Sequence, residues 1–564
     1  MRHARSLLIL LLAAPATTQA TLLRDIAPGT KGSTPRACVE FDGKSFFVAS
    51  PAGNGVSWYL FRTDGTAGGT AQFGGNPVGR ELGRAGQRLF YSAQTPAAGM
   101  ELWSSDGVGP GAMVADLYPG ATGAQPSGFV PLGDRLAFFA TLAAGLRLCV
   151  SDGTAAGTLD LAGASSQSAA AISGWLFFAG ADGELWKTDG TPAGTALVKD
   201  IRTGPGASSP SQLLAYQGRI WFLADDGFSG AELWYSDGTP LGTALFLDIT
   251  PGNGGSAIRG LTIAGGQMFF AIGTRLYVTS GFVGGTKEVV ANPPFFLANA
   301  SGLRPLIALG TSVYFAGNNP SWGTELWRSD GTAPGTWMVK DIWPGSTSGL
   351  GGSDLWQLGS RRLFFRAQSP VTGLEVWCSD GTTNGTLVSL DFVPGSGGGP
   401  FGSDPLQASL VRGRLVFDAW DATYGVEPFA YWPGATAQAI GWSCGTTQPT
   451  VRRSQLAASD PVLGGVIQFE GSDAPGGALG SIFLGFPAPS PIPLGGECRS
   501  WIDLNAYIAL PPFWNTAGAW QSNLAIPLDP AFQGVSLVAQ CFYVGSNAPL
   551  GYEASNGVML GFGY

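Results

Sequence analysis

The sequence predicts an all-β protein: a β-propeller of about nine four-stranded blades, or eight if one weak unit is not a blade, plus a C-terminal β-sandwich. Two observations predict it. A motif of the form Glu-Leu-Trp-x-x-Asp-Gly-Thr recurs, in clear or degenerate form, at spacings of 37 to 52 residues as far as Gly441. The chain also contains 87 glycines, and only 12% of its residues are charged while 45% are hydrophobic. This composition is typical of short strands and tight turns and not of a disordered chain.

The first twenty residues have the features of a secretory signal. Arg2 and Arg5 supply a basic start, Leu7 to Ala14 an apolar stretch, and small residues lead to an expected cut after Ala20. The apolar stretch is too short to span a bilayer, and no later run approaches the ~20 apolar residues that a transmembrane helix needs. We therefore expect a soluble exported chain, secreted or at the cell surface, with no membrane insertion.

Charge and histidine content exclude several classes of function. Without Arg2 and Arg5 the chain has 28 basic against 39 acidic residues, a formal net charge of −11. Such an acidic balance argues against nucleic acid and anionic membranes as partners. The single histidine, His3, lies in the expected signal, which excludes Ser-His-Asp catalysis, Cys-His catalysis and His-ligated zinc. No catalytic residue and no metal site is predicted.

Each repeat contains four strand-like pieces. Between Ser211 and Ile249 they are SQLLAYQ, GRIWFLAD, AELWYSD and TALFLDI, separated by Gly, Asp, Pro and Ser. A four-stranded sheet with two apolar faces must pack between two similar neighbours, and a ring of blades provides both. A solenoid is the alternative, but it would leave apolar end faces that need caps. The motif copies begin at Tyr59, Glu101, Arg147, Glu184, Glu232, Arg275, Glu325, Glu375 and Glu427.

The two ends of the repeat region complement each other. The stretch TLLRDIAPG, from Thr21 to Gly29, is the tail of a repeat without its head. The last unit, at Glu427, is degenerate and lacks a recognisable outer strand. We therefore expect residues 21–441 to form a ring that closes through one sheet shared by its two ends.

A second all-β segment follows the repeats. Residues 442–461 are expected to be a linker, and residues 462–564 have the size of a small β-sandwich. Its expected strands are GSIFLGF, CRSWIDLNAYIAL, GVSLVAQCFYV and GVMLGFGY. One disulfide among Cys444, Cys498 and Cys541 is compatible with export, and three pairings are open. Cys149 and Cys378 lie inside repeat strands and are expected to be buried small apolar residues.

At its ELW-x-x-DGT core the chain resembles the ELWxxDGT repeat proteins, which are secreted bacterial proteins regarded as propeller-like. The whole string is present from Glu325 to Gly345 and is weak at Arg275 and Glu427. In the C-terminal segment CRSWIDL, IPLDPAFQGVSLVAQ and SNGVMLGFG resemble a small β-domain that ends many secreted planctomycete proteins. Neither resemblance implies an activity or a catalytic residue.

The recurring motif residues are interpreted as framework. An Asp before Gly-Thr accepts hydrogen bonds from its own loop, and the Gly takes positive φ. Calcium is the alternative, but a calcium loop needs six to eight oxygens and one Asp per turn supplies too few, so no cofactor is favoured. Likewise, a Glu and a Trp repeated in five copies favour blade packing over a sugar site. The predicted turn residues are Asp64, Asp106, Asp152, Asp189, Asp237, Asp330 and Asp380.

Variable loop residues are the candidate ligand contacts. One loop position, x in the pattern Asp-Ile-x-Pro-Gly, changes from unit to unit, and the loop between the second and third strands should lie on the same face. The two loops together give six candidates: Tyr118, Arg202, Asp225, Asp226, Trp322 and Trp343. The expected partner is an extracellular protein or a glycan. The alternatives are a carbohydrate-active hydrolase or lyase that uses two carboxylates, although nothing in the sequence pairs them, and a structural protein of the cell envelope.

Overall fold

A computed structural model describes residues 20–290, 295–297, 306–350, 355–358, 362–390, 409–411, 414–421, 423–431, 436–440, 455–459, 461, 465–472, 478–495, 498–515, 520–526, 535–544 and 552–561. The described residues form antiparallel strands and one short 3-10 helix, Val283–Gly285. The predicted all-β class is confirmed.

The described residues of the repeat region form nine antiparallel sheets, numbered here in chain order, which agrees with the favoured count of nine blades and not with eight. Sheets 1 to 4 contain β2 (Arg36–Phe41), β3 (Lys44–Ala49), β4 (Tyr59–Thr63), β5 (Ala71–Gln72); β6 (Val78–Ala85), β7 (Arg88–Thr95), β8 (Gly99–Ser105), β9 (Ala112–Met113); β10 (Ser127–Leu132), β11 (Arg135–Leu142), β12 (Gly145–Ser151), β13 (Leu159–Ile172); and β13 again with β14 (Trp175–Gly180), β15 (Leu185–Thr188), β16 (Ala196–Lys199).

Sheets 5 to 9 repeat the same meander. They contain β17 (Ser211–Tyr216), β18 (Arg219–Asp225), β19 (Ala231–Ser236), β20 (Ala244–Leu247); β21 (Ile258–Ala264), β22 (Gln267–Ile272), β23 (Arg275–Thr279), β24 (Lys287–Glu288); β25 (Phe296–Leu297), β26 (Ile307–Leu309), β27 (Ser312–Asn319), β28 (Gly323–Ser329), β29 (Trp337–Lys340); β30 (Leu355–Leu358), β31 (Arg362–Ser369), β32 (Gly373–Ser379), β33 (Leu387–Leu390); and β34 (Ser409–Val411), β35 (Arg414–Asp421), β36 (Gly425–Tyr431) with β1 (Thr21–Leu22).

The sheets pack face to face in a closed ring. The core consists of apolar clusters between neighbouring sheets, such as Phe46 and Leu60 of sheet 1 against Leu89 and Tyr91 of sheet 2. Equivalent clusters lie at each following junction as far as sheets 8 and 9. The first strand of sheet 9 packs beside the first strand of sheet 1, so the first strands form the inner edge of the ring. The predicted propeller is therefore confirmed, with nine blades.

The ring closes through the shared sheet that the sequence predicts. Strand β1 pairs antiparallel with β36, with Thr21 opposite Ala430 and Leu22 opposite Phe429. The next residue, Leu23, donates its backbone N–H to the Pro428 carbonyl at 2.9 Å and is 2% exposed. Strand β1 thus supplies the outer strand of the last blade.

Strand β13 belongs to two blades. Its first half pairs with β12 in sheet 3 and its second half with β14 in sheet 4, with a register shift between Ala164 and Ala169. The sequence at this point, LDLAGASSQSAAAI, has no Pro-Gly turn to end the strand. The outer strand of one blade therefore continues directly into the inner strand of the next.

The C-terminal segment forms two packed sheets, as predicted. One contains β37 (Thr436–Ile440), β40 (Ala478–Gly495), β41 (Cys498–Ala509), β42 (Phe513–Asn515), β44 (Ser536–Val544) and β45 (Tyr552–Gly561), and the other β38 (Gln455–Ala458), β39 (Val466–Ser472) and β43 (Trp520–Ala525). Ile467 and Phe469 of the smaller sheet pack against Ile482 and Cys541 of the larger one.

The first strands of the sandwich lie earlier in the chain than the sequence analysis expected. Thr436–Ile440, assigned above to the propeller, pairs with β45 of the sandwich. Gln455–Ala458, assigned above to the linker, pairs with β39. The reason is that these short segments have no strand-length apolar pattern of their own and become strands by pairing with distant partners.

The described cysteine side chains are not in disulfides. Cys149 and Cys378 are 1% and 4% exposed within repeat strands, as expected. Cys541 is a free thiol in the sandwich core, where burial raises its pKa to about 12. Cys444 and Cys498 are the other two candidates for the predicted disulfide, and their side chains lie outside the described residues. In the described part of the chain, no helix has the length and apolar character needed to span a membrane.

Replacing Leu23 by Ala should destabilise the chain by about 2 to 5 kcal/mol, because it leaves a cavity at the ring closure among Val411, Val416 and Ala430. The measurement is the denaturant midpoint of unfolding. The matched control is Leu241→Ala, at a residue that is 99% exposed, which should change stability by less than about 0.5 kcal/mol. Equal midpoints for the two variants would contradict the closure.

Candidate functional site

The two ends of the blades form two different surfaces. One, called here the loop face, carries the loop between the second and third strands of each sheet and the connection to the next sheet. The other, called the turn face, carries the Asp-Gly-Thr turns. On the loop face the two kinds of loop touch: a Cβ at Gly323, whose φ is +68°, would clash with the Thr347 backbone. Only glycine fits this close approach, so the two loops are held as one layer.

The glutamate of the repeated Glu-Leu-Trp triplet is buried beneath the loop face. Glu184 accepts hydrogen bonds from the backbone N–H of Ile201 at 2.7 Å and of Ser208 at 2.9 Å, and from the Ser208 hydroxyl at 2.7 Å. Glu101, Glu232, Glu325 and Glu427 make the corresponding bonds in their own units. The carboxylate therefore holds the connection between two blades, which favours the framework interpretation of this residue.

Burial changes the acidity of these glutamates. Removal from water raises the pKa of Glu101, Glu232, Glu325 and Glu427, while the N–H and hydroxyl donors act in the opposite direction. For Glu325 the pKa is raised to about 7. The connecting loop encloses each of these carboxylates. Glu232 and Glu325, for example, are 0% exposed, so a ligand cannot reach them.

The Asp-Gly-Thr turns are closed by local hydrogen bonds. Asp330 Oδ1 accepts from the Thr332 backbone N–H at 2.9 Å and from its hydroxyl at 2.7 Å. The Ser329 hydroxyl accepts from the Gly331 N–H at 3.1 Å. The backbone bond to Oδ1 recurs at Asp64, Asp106, Asp152, Asp189, Asp237 and Asp380.

Hydroxyl bonds keep several turn carboxylates ionised. The threonine hydroxyl is the largest cause of the lowered pKa of Asp152, Asp189, Asp237 and Asp330. Among the described residues, no three His, Cys, Asp or Glu side chains are grouped as a metal site would require. At these turns, side chains of the turn itself accept the hydrogen bonds of its backbone N–H groups.

Three of the six candidate ligand contacts lie together on the loop face. Arg202, in the connection after sheet 4, forms an ion pair with Asp225 of sheet 5 at 2.7 Å. The neighbouring Asp226 accepts from the backbone N–H of Phe228 at 2.8 Å and of Ser229 at 2.7 Å. The ion pair is partly exposed, so water screens it and its contribution to stability is small. Both carboxylates order the loop that carries Phe228.

The other three candidates lie at separate places. Tyr118, after sheet 2, is half-buried against the Phe138 cluster, and its N–H donates to Glu101 Oε1 at 3.1 Å. Trp343, after sheet 7, is also half-buried. Trp322 stands in the loop between β27 and β28 and is 39% exposed. Tyr118 follows sheet 2, Trp322 lies within sheet 7 and Trp343 follows sheet 7, whereas the Arg202 group lies at sheets 4 and 5. The six candidates are therefore spread over one face.

The structure shows three exposed apolar side chains on this face that are not among the six candidates. Val56 and Val371 are 78% and 80% exposed, and Phe228 is 80% exposed. All three lie, with Trp322, in loops between second and third strands, so they belong to the loop face. In the sequence, such a residue could be recognised as an apolar residue within a loop of mainly small and polar residues.

No known protein-family model matches the chain, and no curated protein matches it. Among solved structures, it is similar to a puromycin hydrolase at 15% identity, over 72% of this chain and 61% of that one, with a TM-score of 0.34. A puromycin-hydrolyzing peptidase of Mycobacterium tuberculosis matches at 12% identity, over 64% and 61%, with a TM-score of 0.32. A chain of a nidogen/laminin complex matches at 14% identity, over 43% and 89%, with a TM-score of 0.24.

The chain spans about three-fifths of the length of the peptidases it matches. At these TM-scores the similarities indicate no activity, substrate or partner for this chain. Its propeller architecture rests on the pairing and packing of its own strands.

Stability should fall as the pH rises from about 4.5 to about 7, because the pKa of Glu325 is about 7 in the folded chain and 4.5 is its ordinary value. Between these two values the folded state binds more protons than the unfolded state, so deprotonation favours unfolding. Glu325→Gln removes this titration. The denaturant midpoint of the variant relative to the unsubstituted protein should therefore rise between about pH 5 and about pH 8. Glu470→Gln, at an exposed residue, is the control, and parallel profiles for all three proteins would contradict the prediction.

Asp330→Ala should cost about 1 kcal/mol of stability, by analogy with the loss of a helix cap, since two loop hydrogen bonds disappear. Asp330→Asn retains an oxygen acceptor and should cost less.

We propose that the turns hold no calcium, so a chelator should leave the melting temperature of the unsubstituted protein unchanged. A melting temperature that falls with chelator and returns with added calcium would instead support the calcium alternative.

Proposed function

We propose that the protein is a secreted or cell-surface binding protein that uses the loop face of its propeller to bind an extracellular protein or a glycan. One observation carries the proposal: Val56, Phe228, Trp322 and Val371 are exposed apolar side chains at the same structural position in four different blades. Exposed apolar and aromatic groups on loops held by a rigid scaffold are typical of interaction surfaces.

The repeated residues support this division between framework and contact surface. The Glu, Trp and turn Asp side chains of the motif are occupied by packing and by loop hydrogen bonds within each unit. The loop tips vary from blade to blade and make no such contacts in common. A rigid frame with variable exposed tips suits recognition, because binding then costs little ordering of the loops.

A carbohydrate-active enzyme is the alternative. Such an enzyme needs two carboxylates across a cleft, with one able to donate a proton. Asp225 and Asp226 are adjacent in the chain, and both accept hydrogen bonds from their own loop. This arrangement favours loop ordering over proton transfer. A purely structural role in the cell envelope is the second alternative and would need no small ligand.

Export and family membership are parts of the same proposal. The N-terminal segment with Arg2, Arg5 and the apolar stretch to Ala14 supports export. The ELW-x-x-DGT units support membership of the ELWxxDGT repeat proteins, and the C-terminal motifs support a domain like those of secreted planctomycete proteins. The acidic balance of the chain supports a partner other than nucleic acid.

A screen of glycans and extracellular proteins should find a ligand whose affinity falls roughly tenfold or more in the double variant Phe228→Ala, Trp322→Ala, since buried aromatic contacts dominate interface energies. Affinity is measured by titration. Leu241→Ala, at an exposed apolar residue on the turn face, is the matched control and should bind normally.

Three outcomes separate the alternatives. A ligand lost in the Leu241 variant but kept in the double variant would contradict use of the loop face. Turnover that disappears when Asp225 and Asp226 are both changed to Asn would favour the enzyme. Failure to bind anything in the screen would favour the structural role.

A further inference from the structure

A tryptophan on the loop face lies beside two arginines from neighbouring blades. Trp58 stands where the exposed loop of sheet 1 enters β4, and its indole N–H donates to the Gly55 carbonyl at 3.1 Å. The guanidinium carbons of Arg36, in β2, and Arg80, in β6, each lie 5.2 Å from the centre of the Trp58 ring. Trp58 is 6% exposed, whereas the Arg80 side chain is exposed. The Trp58 indole thus contacts one arginine from each of two neighbouring blades.

The position belongs to the inner edge of the ring. Strands β2 and β6 are the first strands of sheets 1 and 2, and first strands surround the axis of the propeller. In both strands the pairing is irregular at this level, between Arg36 and Val39 and between Val78 and Leu82. The irregularity interrupts the alternation of faces, which lets two arginines from different strands turn toward one ring.

The carboxylates on the same two strands have other partners. Glu40 pairs with Arg84 at 2.9 Å and accepts from the Gly43 N–H at 3.0 Å. Glu81 accepts a backbone hydrogen bond from Gly128 of sheet 3. In the described part of the chain, Arg80 has no ion pair with an acidic side chain. Arg80 therefore presents an exposed positive charge at the inner edge, in a chain whose formal net charge is −9.

We propose that Arg36, Trp58 and Arg80 form a subsite for an anionic group of an extracellular polysaccharide, a sugar carboxylate or a sugar sulfate ester. A guanidinium presents its N–H donors in a planar fork that matches both groups, and stacking on an indole orders the fork before the ligand arrives. This proposal rests on the binding function proposed above and names the ligand class.

The test uses the full chain with three polymer probes: polygalacturonate for carboxylates, dextran sulfate for sulfate esters and unmodified dextran as the neutral control. Affinity is measured by titration at low and at raised salt. Arg80→Gln should weaken binding to the preferred anionic polymer roughly tenfold, the loss expected for a charged hydrogen bond. Arg80→Lys keeps the charge but not the fork and should be intermediate.

Arg275→Gln is the matched control, because it removes the same charge from a partly exposed arginine that pairs with Glu288 at 2.8 Å on the outer strands of sheet 6. It should bind like the unsubstituted protein, and unchanged melting temperatures would show that each variant is folded. Which anionic polymer binds more tightly distinguishes the carboxylate from the sulfate ester.

Equal losses in Arg80→Gln and Arg275→Gln, or equal affinity for dextran and the charged polymers, would overturn the subsite. If neither charged polymer binds while a screened ligand still binds through Phe228 and Trp322, the subsite is wrong and the binding function stands. If no ligand of any kind binds, both proposals fail.

Discussion

Each four-stranded sheet of this protein has two apolar faces, and a sheet of that kind is stable only when both faces are covered. The ring solves this by placing every face against a neighbour, with aromatic residues such as Phe46, Phe138 and Phe222 fully buried between blades. The ring must therefore close for the faces of the first and last sheets to be covered. Without the pairing of β1 with β36 the last sheet would lack its outer strand, and the packing of the two chain ends of the ring would be lost.

Buried polar groups hold the connection between each blade and the next. The motif glutamate sits below the loop face and accepts N–H donors from the connection to the next blade, so those donors are satisfied away from water. The cost of burying this carboxylate appears as the raised pKa of Glu101, Glu232, Glu325 and Glu427. At the opposite end, Asp and Thr close the turns with their own hydrogen bonds. Both devices are local, which is why the same residues recur in most units.

Because these side chains are engaged inside each blade, the proposed recognition would use positions that the repeat leaves free. The structure offers two kinds. One is the set of apolar loop tips, Val56, Phe228, Trp322 and Val371, spread around the loop face. The other is the pair of arginines held by Trp58 at the inner edge. A ligand that spans both would meet apolar contacts at the loop tips and the proposed anion subsite at the inner edge, and an extended polymer fits that geometry better than a compact molecule.

The sequence by itself determined the all-β class, the strand pattern of each blade and the closure by Thr21 and Leu22, because these depend on local periodicity and on one missing strand. It also indicated that Asp225, Asp226 and Arg202 belong to the same face. Tertiary structure alone decided that Arg202 pairs with Asp225, that Thr436–Ile440 joins the sandwich, and that Arg36 and Arg80 meet at Trp58. These contacts join residues from different sheets or distant strands, and no spacing within one repeat encodes which side chains a neighbour brings to the shared surface.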